Sequence, residues 1–249
     1  MKLFRGIFGL IFKIYIGLVF LITLLIFYIP IAILLTRNSW KKHAFKVHVV
    51  WGYAFALLCL YFFKFKKKSK LPKAPYIIIA NHASYLDIFM MYSILPQNPF
   101  LFMGKAEILK YPLMKTLFKH LNIPVHRDSQ IKSAKAFITA KKALKEGWSI
   151  VIFPEGKIPD DNCPTMIPFR DGAFKLAKSA NVPLLPLTFT NNYYLFSDPE
   201  NIMGPARPGI SHVYLHDFIP VEVVKELSEK ELSALAFQII NEPLIATQK

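Results

Sequence analysis

Hydrophobic positions follow two different regimes along this chain. From Ile14 to Thr36 no Asp, Glu, Lys or Arg interrupts an apolar run, and Val47 to Phe63 is a second uncharged run. Some twenty apolar residues suffice to cross a bilayer, so the first run is a spanning candidate and the second lies at the lower limit. Beyond residue 75 the apolar residues gather instead in short clusters separated by amphipathic stretches. Clusters rich in β-branched and aromatic residues at Tyr76–Ala80, Ile123–Val125, Ser149–Phe153, Pro183–Phe189 and His212–Phe218 predict strands. Residues 130–146 predict a helix whose apolar arc holds Ile131, Ala134, Phe137, Ile138 and Leu144, with Lys141 and Lys145 snorkelling past it. Val221 to Asn241 predicts a covering helix. Alternating strands and helices predict an α/β fold with a largely parallel or mixed sheet and flanking helices, preceded by an N-terminal two-helix membrane hairpin. Pro72 and Pro75 punctuate the junction. The expected organisation is a membrane-anchoring basic, apolar hairpin over residues 1–73 and an α/β domain over 74–249.

Charge sharpens the picture of the N-terminal third. The 249 residues carry a net charge of +15, and up to Lys73 there are 13 Lys and Arg with no Asp or Glu, whereas the remainder is nearly balanced. Positive charge interleaved with long apolar runs points to an anionic membrane rather than to nucleic acid. A spanning hairpin would place Arg37, Lys41, Lys42 and Lys46 on the non-cytoplasmic side, against the positive-inside tendency. A hairpin embedded in one leaflet keeps all the basic clusters on the cytoplasmic surface, and Pro30 helps by bending the first helix. The apolar stretch exceeds a signal-peptide core and no small-x-small site ends it, so a retained anchor is expected. Cys59 and Cys163 are too few for a disulfide framework, and Cys163 has no neighbouring histidine to activate it as an acyl carrier.

The chemistry concentrates in Asn81-His82-Ala83-Ser84-Tyr85-Leu86-Asp87, directly after the apolar run Tyr76–Ala80. A neutral imidazole accepts a proton from a hydroxyl near pH 7, and a carboxylate on its other nitrogen sets the tautomer and stabilises the imidazolium. On one continuous helix positions five apart point in different directions, so His82 and Asp87 meet only if His82 lies in a turn and the helix starts near Ser84. Ser84 and Asp87 are spaced as a capping box. A strand, turn and helix in that order are therefore predicted. The chain has no Gly-x-Ser-x-Gly elbow, no Gly-x-Gly-x-x-Gly and no phosphate loop. His212 and His216 have no carboxylate or cysteine partners at ligand spacing, so no metal is expected. His43, His48 and His120 belong to no constellation.

The His-x-x-x-x-Asp block and three further blocks resemble those of the glycerolipid acyltransferases related to 1-acyl-glycerol-3-phosphate acyltransferase. The others are Gly104-Lys105-Ala106-Glu107-Ile108-Leu109-Lys110-Tyr111-Pro112, closing near Ile123-Pro124-Val125-His126-Arg127, then Phe153-Pro154-Glu155-Gly156, and Val182-Pro183-Leu184-Leu185-Pro186-Leu187. The resemblance implies transfer of a fatty acyl group from acyl-CoA or acyl-ACP to a lysophospholipid hydroxyl, with His82 as base and Asp87 as its orienting acid. It further implies substrate-binding roles for Asn81, Ser84, Lys105, Arg127, Glu155, Gly156 and Lys157, and no cofactor beyond the thioester co-substrate. Two departures bear on the acceptor. Leu113 stands where the family's second block has glycine, and Lys157-Ile158-Pro159 replaces Thr-Arg-Ser, whose arginine is associated with the acceptor phosphate. Phosphatidic acid synthesis is the leading expectation. Acylation of another lysolipid, such as a lyso-amino-acid lipid, and a non-catalytic membrane adaptor are the alternatives.

Overall fold

The computed structural model describes residues 2–71, 73–159 and 165–248; Pro72 and Cys163 lie outside them. The chain opens with α1 (Lys2–Leu34) and α2 (Lys41–Leu58), then β1 (Tyr61–Lys68), β2 (Ile77–Ala80), α3 (Leu86–Ile94), β3 (Phe100–Lys105), α4 (Pro112–Leu121), β4 (Ile123–Val125), α5 (Gln130–Lys145) and β5 (Ser149–Ile152). There follow α6 (Gly172–Ala180), β6 (Leu184–Phe189), the single turn α7 (Asn192–Leu195), β7 (Gly209–Leu215), α8 (Val221–Glu226) and α9 (Glu229–Gln248). The seven strands form one sheet in the order β1-β7-β6-β2-β5-β3-β4. Five run parallel, β6, β2, β5, β3 and β4, while β7 pairs antiparallel to β6 and β1 parallel to β7.

The strand at the centre is the most apolar one. Ile77, Ile78, Ile79 and Ala80 are fully buried, as expected of a parallel strand covered on both faces. In register, Ile79 of β2 lies opposite Ile152 of β5 and Pro186 of β6, so β2 and β5 end side by side. At the far edge β1 exposes Lys64, Lys66 and Lys68, charges that discourage pairing with another chain.

Two strands escape the hydrophobic pattern. β1 lies in a stretch read as anchor and basic linker, yet Phe63 and Phe65 turn partly inward while Lys64 and Lys66 face solvent, a period-two alternation dominated by its lysines. β3, Phe100-Leu101-Phe102-Met103-Gly104-Lys105, is a short apolar run whose glycine weakens a strand reading. Gly104 packs closely on α4, where a Cβ would press on the Phe118 ring at 3.3 Å.

Helical expectations need three corrections. The second apolar run is divided: α2 starts at Lys41, carries Lys41, Lys42 and Lys46 on its own first turns, and ends at Leu58 before β1. Helix α5 has the expected extent, but it turns Ala136, Ala140, Ala143 and Leu144 inward and leaves Ile131 and Ile138 exposed. Small side chains let the helix approach the sheet closely, and that approach outweighs the larger hydrophobicity of the isoleucines. The C-terminal helix is broken at Leu227–Ser228, where Ser228 and Glu231 form the capping box that starts α9: Ser228 N donates to Glu231 Oε2 at 2.8 Å and Glu231 N to Ser228 Oγ at 3.3 Å.

The two N-terminal helices pack against one another and onto the domain. Phe20 and Phe27 of α1 stack on Trp51 of α2, and Phe20 meets Phe89 of α3 edge-on. Among the described residues one helix, Phe4–Leu34, is long and apolar enough to cross a membrane.

Candidate active site

The carboxyl ends of four adjacent parallel strands bring the sequence blocks together. His82 follows β2, Glu155 and Gly156 follow β5, Lys105 ends β3, and Arg127 follows β4. Ligand sites of open α/β sheets gather at this edge. By contrast Lys141 and Lys145 sit at the opposite edge, lining a cleft with Pro75, Gly147, Asn181 and Val182.

His82 occupies the turn after β2 as required, and the helix begins at Leu86. Its Nδ1 lies 3.0 Å from Asp87 Oδ2. A carboxylate offers only acceptors, so Nδ1 is the donor and, in the neutral imidazole, Nε2 is the accepting nitrogen. Asp87 is completely buried, and its charge is met from four directions. Oδ2 also accepts from the backbone N–H groups of Ala83 at 2.9 Å and Ser84 at 3.0 Å, while Oδ1 accepts from Asn192 Nδ2 at 2.7 Å. Only half of the anticipated capping box forms, since Ser84 Oγ accepts from Leu86 N rather than Asp87 N and donates to Phe196 O at 2.5 Å. The His82 ring stacks on Phe153 with centroids 4.2 Å apart, which fixes its plane.

Asn81 and Glu155 hold the same turn from either side. Asn81 Nδ2 donates to Phe189 O at 2.9 Å and its Oδ1 accepts from Phe189 N at 2.8 Å, fastening the end of β2 to β6. Glu155, 2 % exposed, accepts from His82 N at 2.8 Å through Oε1 and from Ile167 N at 2.9 Å through Oε2. Burial pushes its carboxyl up to about 7, against the pull of those two N–H donors. Asn81, Ser84 and Glu155 therefore spend their polar atoms on backbone and build the turn. Lys105, Arg127 and Lys157 lie at the rim of the site, Lys105 exposed and Arg127 with its guanidinium partly covered.

Arg127 forms no ion pair with Asp128 and Lys105 none with Glu107 among the described residues. Instead the Arg127 guanidinium lies over Gly156 beside Arg170. Partial burial and the like charge of Arg170 lower its pKa, and Glu107 opposes them. Gly156 has φ +79°, a conformation suited to glycine.

A family model described as Acyltransferase matches residues 62–190. The chain belongs to the acyltransferase family. Among curated members it is similar to the 1-acyl-sn-glycerol-3-phosphate acyltransferase of Saccharomyces cerevisiae, 34 % identical over 141 residues that cover 55 % of this chain and 46 % of that one. The protein of the same description from Borreliella burgdorferi is 29 % identical over 168 residues, 66 % of this chain and 63 % of its own. The chain thus spans about half the length of the curated relatives it matches. In fold it is similar to the crystal structure of the 1-acyl-sn-glycerophosphate (LPA) acyltransferase PlsC from Thermotoga maritima, with TM-score 0.75 at 19 % identity over 100 % of this chain and 98 % of that one.

Sequence reasoning singled out His82, Asp87 and Glu155, which the structure brings together, and passed over Asn192, Ser211 and Arg170, which lie outside the four blocks. Asn192 is fully buried, and its Oδ1 accepts from Ser211 Oγ at 2.6 Å. The polar pair Asn191-Asn192 after β6 was the available signal. Asn191 is used differently, pairing with Ile210 O and His212 N of β7. His216 is a core residue: its Nε2 lies 2.9 Å from Thr188 Oγ1, which donates to Ile240 O in α9.

Proposed function

We propose that this protein transfers a fatty acyl group from acyl-CoA or acyl-ACP to the free hydroxyl of 1-acyl-glycerol-3-phosphate, giving phosphatidic acid. The observation that carries the reading is the His82–Asp87 pair, whose Nδ1–carboxylate contact leaves Nε2 as the accepting nitrogen, held at the carboxyl edge of the sheet beside the arginines around Gly156. His82 Nε2 takes the proton of the acceptor hydroxyl as its oxygen attacks the thioester carbonyl. Asp87 holds the tautomer and offsets the imidazolium charge. The tetrahedral adduct then expels the thiolate, to which the imidazolium returns the proton. No acyl-enzyme is needed, because the acceptor is itself the nucleophile. Asn81, Ser84 and Glu155 position the His82 turn, while Lys105, Arg127 and Lys157 meet the anionic headgroup or carrier phosphates.

A second acceptor class is favoured by one observation. Ile158 stands where the third block has its arginine, and the adjacent Lys157 lacks the bidentate fork that matches a phosphate. Acylation of another lysolipid, such as a lyso-amino-acid lipid, keeps the same chemistry with a different headgroup.

The site works at a membrane in this reading. Along α1 the outward face exposes Ile11, Leu18, Ile22, Leu25 and Ile29, while the opposite face buries Ile16, Val19, Leu24 and Ile31 against the protein. A helix packed along its length on one side and apolar on the other suits insertion parallel to the bilayer, with the basic clusters on the cytoplasmic headgroups. Acyl transfer by detergent-solubilised protein tests the proposal, with wild type beside His82→Ala. An acyl thioester is offered with lysophosphatidic acid or with a matched lysolipid lacking phosphate. Transfer to lysophosphatidic acid that is lost in the variant supports phosphatidic acid synthesis, preference for the other lysolipid moves the acceptor, and transfer unaffected by the variant refutes His82 as base.

A further inference from the structure

We infer that Arg170, together with Arg127, forms a two-guanidinium site for the phosphate monoester of the acceptor, supplying the fork that Lys157 cannot. A Cβ on Gly156 would stand 2.8 Å from Arg127 Nη2, 3.2 Å from its Nη1 and 3.0 Å from Arg170 Nε. Both guanidiniums therefore converge on one small patch of backbone, and only the absent side chain leaves room for them.

Like charges so placed repel one another; Glu107 offsets part of this at Arg127, and among the described residues neither guanidinium forms an ion pair. An arrangement that raises the energy of the empty protein is repaid when a dianion enters, because each guanidinium then donates charge-assisted hydrogen bonds to it. Phosphate oxygens match the planar donor fork of arginine, and two forks distinguish a dianionic monoester from a headgroup of lower charge.

The position of Arg170 is built rather than incidental. Arg170 N donates to Pro154 O at 2.9 Å, and Ile167 N donates to Glu155 Oε2 at 2.9 Å, so residues 167–170 are strapped to the Pro154-Glu155-Gly156 turn. The same Glu155 holds His82 N through its other oxygen. One carboxylate thus links the segment bearing Arg170 to the turn bearing the base. A glycerol phosphate has its ester oxygen and reacting hydroxyl on neighbouring carbons, so its phosphate belongs close to His82. This inference rests on the acceptor reading above and adds to it the residue that recognises the headgroup.

The test is calorimetric binding to the full detergent-solubilised chain, as wild type, Arg170→Gln and Arg170→Lys. Three probes are compared: a short-chain lysophosphatidic acid, the matched monoacylglycerol and coenzyme A. Arg170→Gln is expected to weaken lysophosphatidic acid binding about 10- to 100-fold, the loss of one charge-assisted contact, and to leave monoacylglycerol and coenzyme A unchanged. Arg170→Lys should recover only part of the loss. In turnover the KM for lysophosphatidic acid should rise while kcat stays near wild type. Equal weakening of lysophosphatidic acid and monoacylglycerol would mean a structural role and overturn the inference. Weakening of coenzyme A alone would assign the pair to the donor and overturn it too, as would wild-type affinity in the Gln variant or no preference for phosphate in wild type. Arg170-dependent binding of lysophosphatidic acid without transfer to it would leave the phosphate site standing and remove the proposed reaction instead.

Discussion

Asn192 donates from Nδ2 to Asp87 Oδ1 at 2.7 Å, across 105 positions of sequence. Through Asn192 Oδ1 the contact continues to Ser211 Oγ on β7, so the carboxylate behind His82 is held by a buried polar chain reaching a strand that carries none of the four blocks. A buried carboxylate deprived of one donor keeps its desolvation cost and loses part of its compensation.

Asn192→Ala is accordingly expected to lower kcat by about 10- to 100-fold, the equivalent of 1–3 kcal/mol for an unmet buried partner. Asn192→Asp, nearly identical in shape, should be worse, since it sets a second carboxylate against Asp87. Steady-state kinetics beside a thermal melt decide this, and an Asn192→Asp variant as active as wild type would show that the contact carries no weight.

His82→Ala should lose turnover by several orders of magnitude while the fold survives, because the ring contributes one stacking contact and one hydrogen bond. Asp87→Asn should lose less activity. An amide facing His82 Nδ1 with its oxygen would turn its NH2 toward Asn192, whose own amide can flip to accept while donating to Ser211. The melting temperature of Asp87→Asn should thus stay near wild type, and that of the double variant Asp87→Asn with Asn192→Ala should fall below the sum of the single losses.

Glu155 makes stability depend on pH. Its folded pKa, about 7, is raised above the ordinary carboxyl value of 4.5, so the folded state holds the proton more tightly than the unfolded chain. The resulting contribution is fully present below about pH 4.5 and is lost as pH rises through about 7. Glu155→Gln removes this titration and leaves one backbone N–H without its acceptor. Urea midpoints measured from pH 4.5 to 7.5 should show a Glu155-dependent decline in wild type that is missing from the Gln variant; identical slopes would reject the raised pKa.

Gly156→Ala should disturb the site twice. A left-handed φ of +79° strains any side chain, and the added carbon would press on Arg127 and Arg170. A loss of about 1 kcal/mol or more in stability is expected. The same variant should raise the KM for lysophosphatidic acid, and kinetics together with chemical denaturation will show whether both effects appear.

The residues themselves determined the parts of this protein that lie close together in the chain. His82 and Asp87 are separated by one turn, so a strand, a turn and a helix start were enough to bring Nδ1 to the carboxylate. The strands β2, β4, β5 and β6 were legible because local β-branched and aromatic runs announce buried parallel strands. Likewise the uncharged N-terminal run marked α1 without any tertiary information.

Only the tertiary structure decided what approaches from afar. It brought Asn192 behind Asp87, Glu155 beneath His82 N, and Arg170 beside Arg127, and it chose the alanine face of α5 over the isoleucines. Each of these depends on distances between elements remote in sequence, which the order of strands across the sheet and close packing set together. A local pattern can announce a catalytic turn, but it contains no information on which buried amide or second guanidinium the finished sheet will place against it.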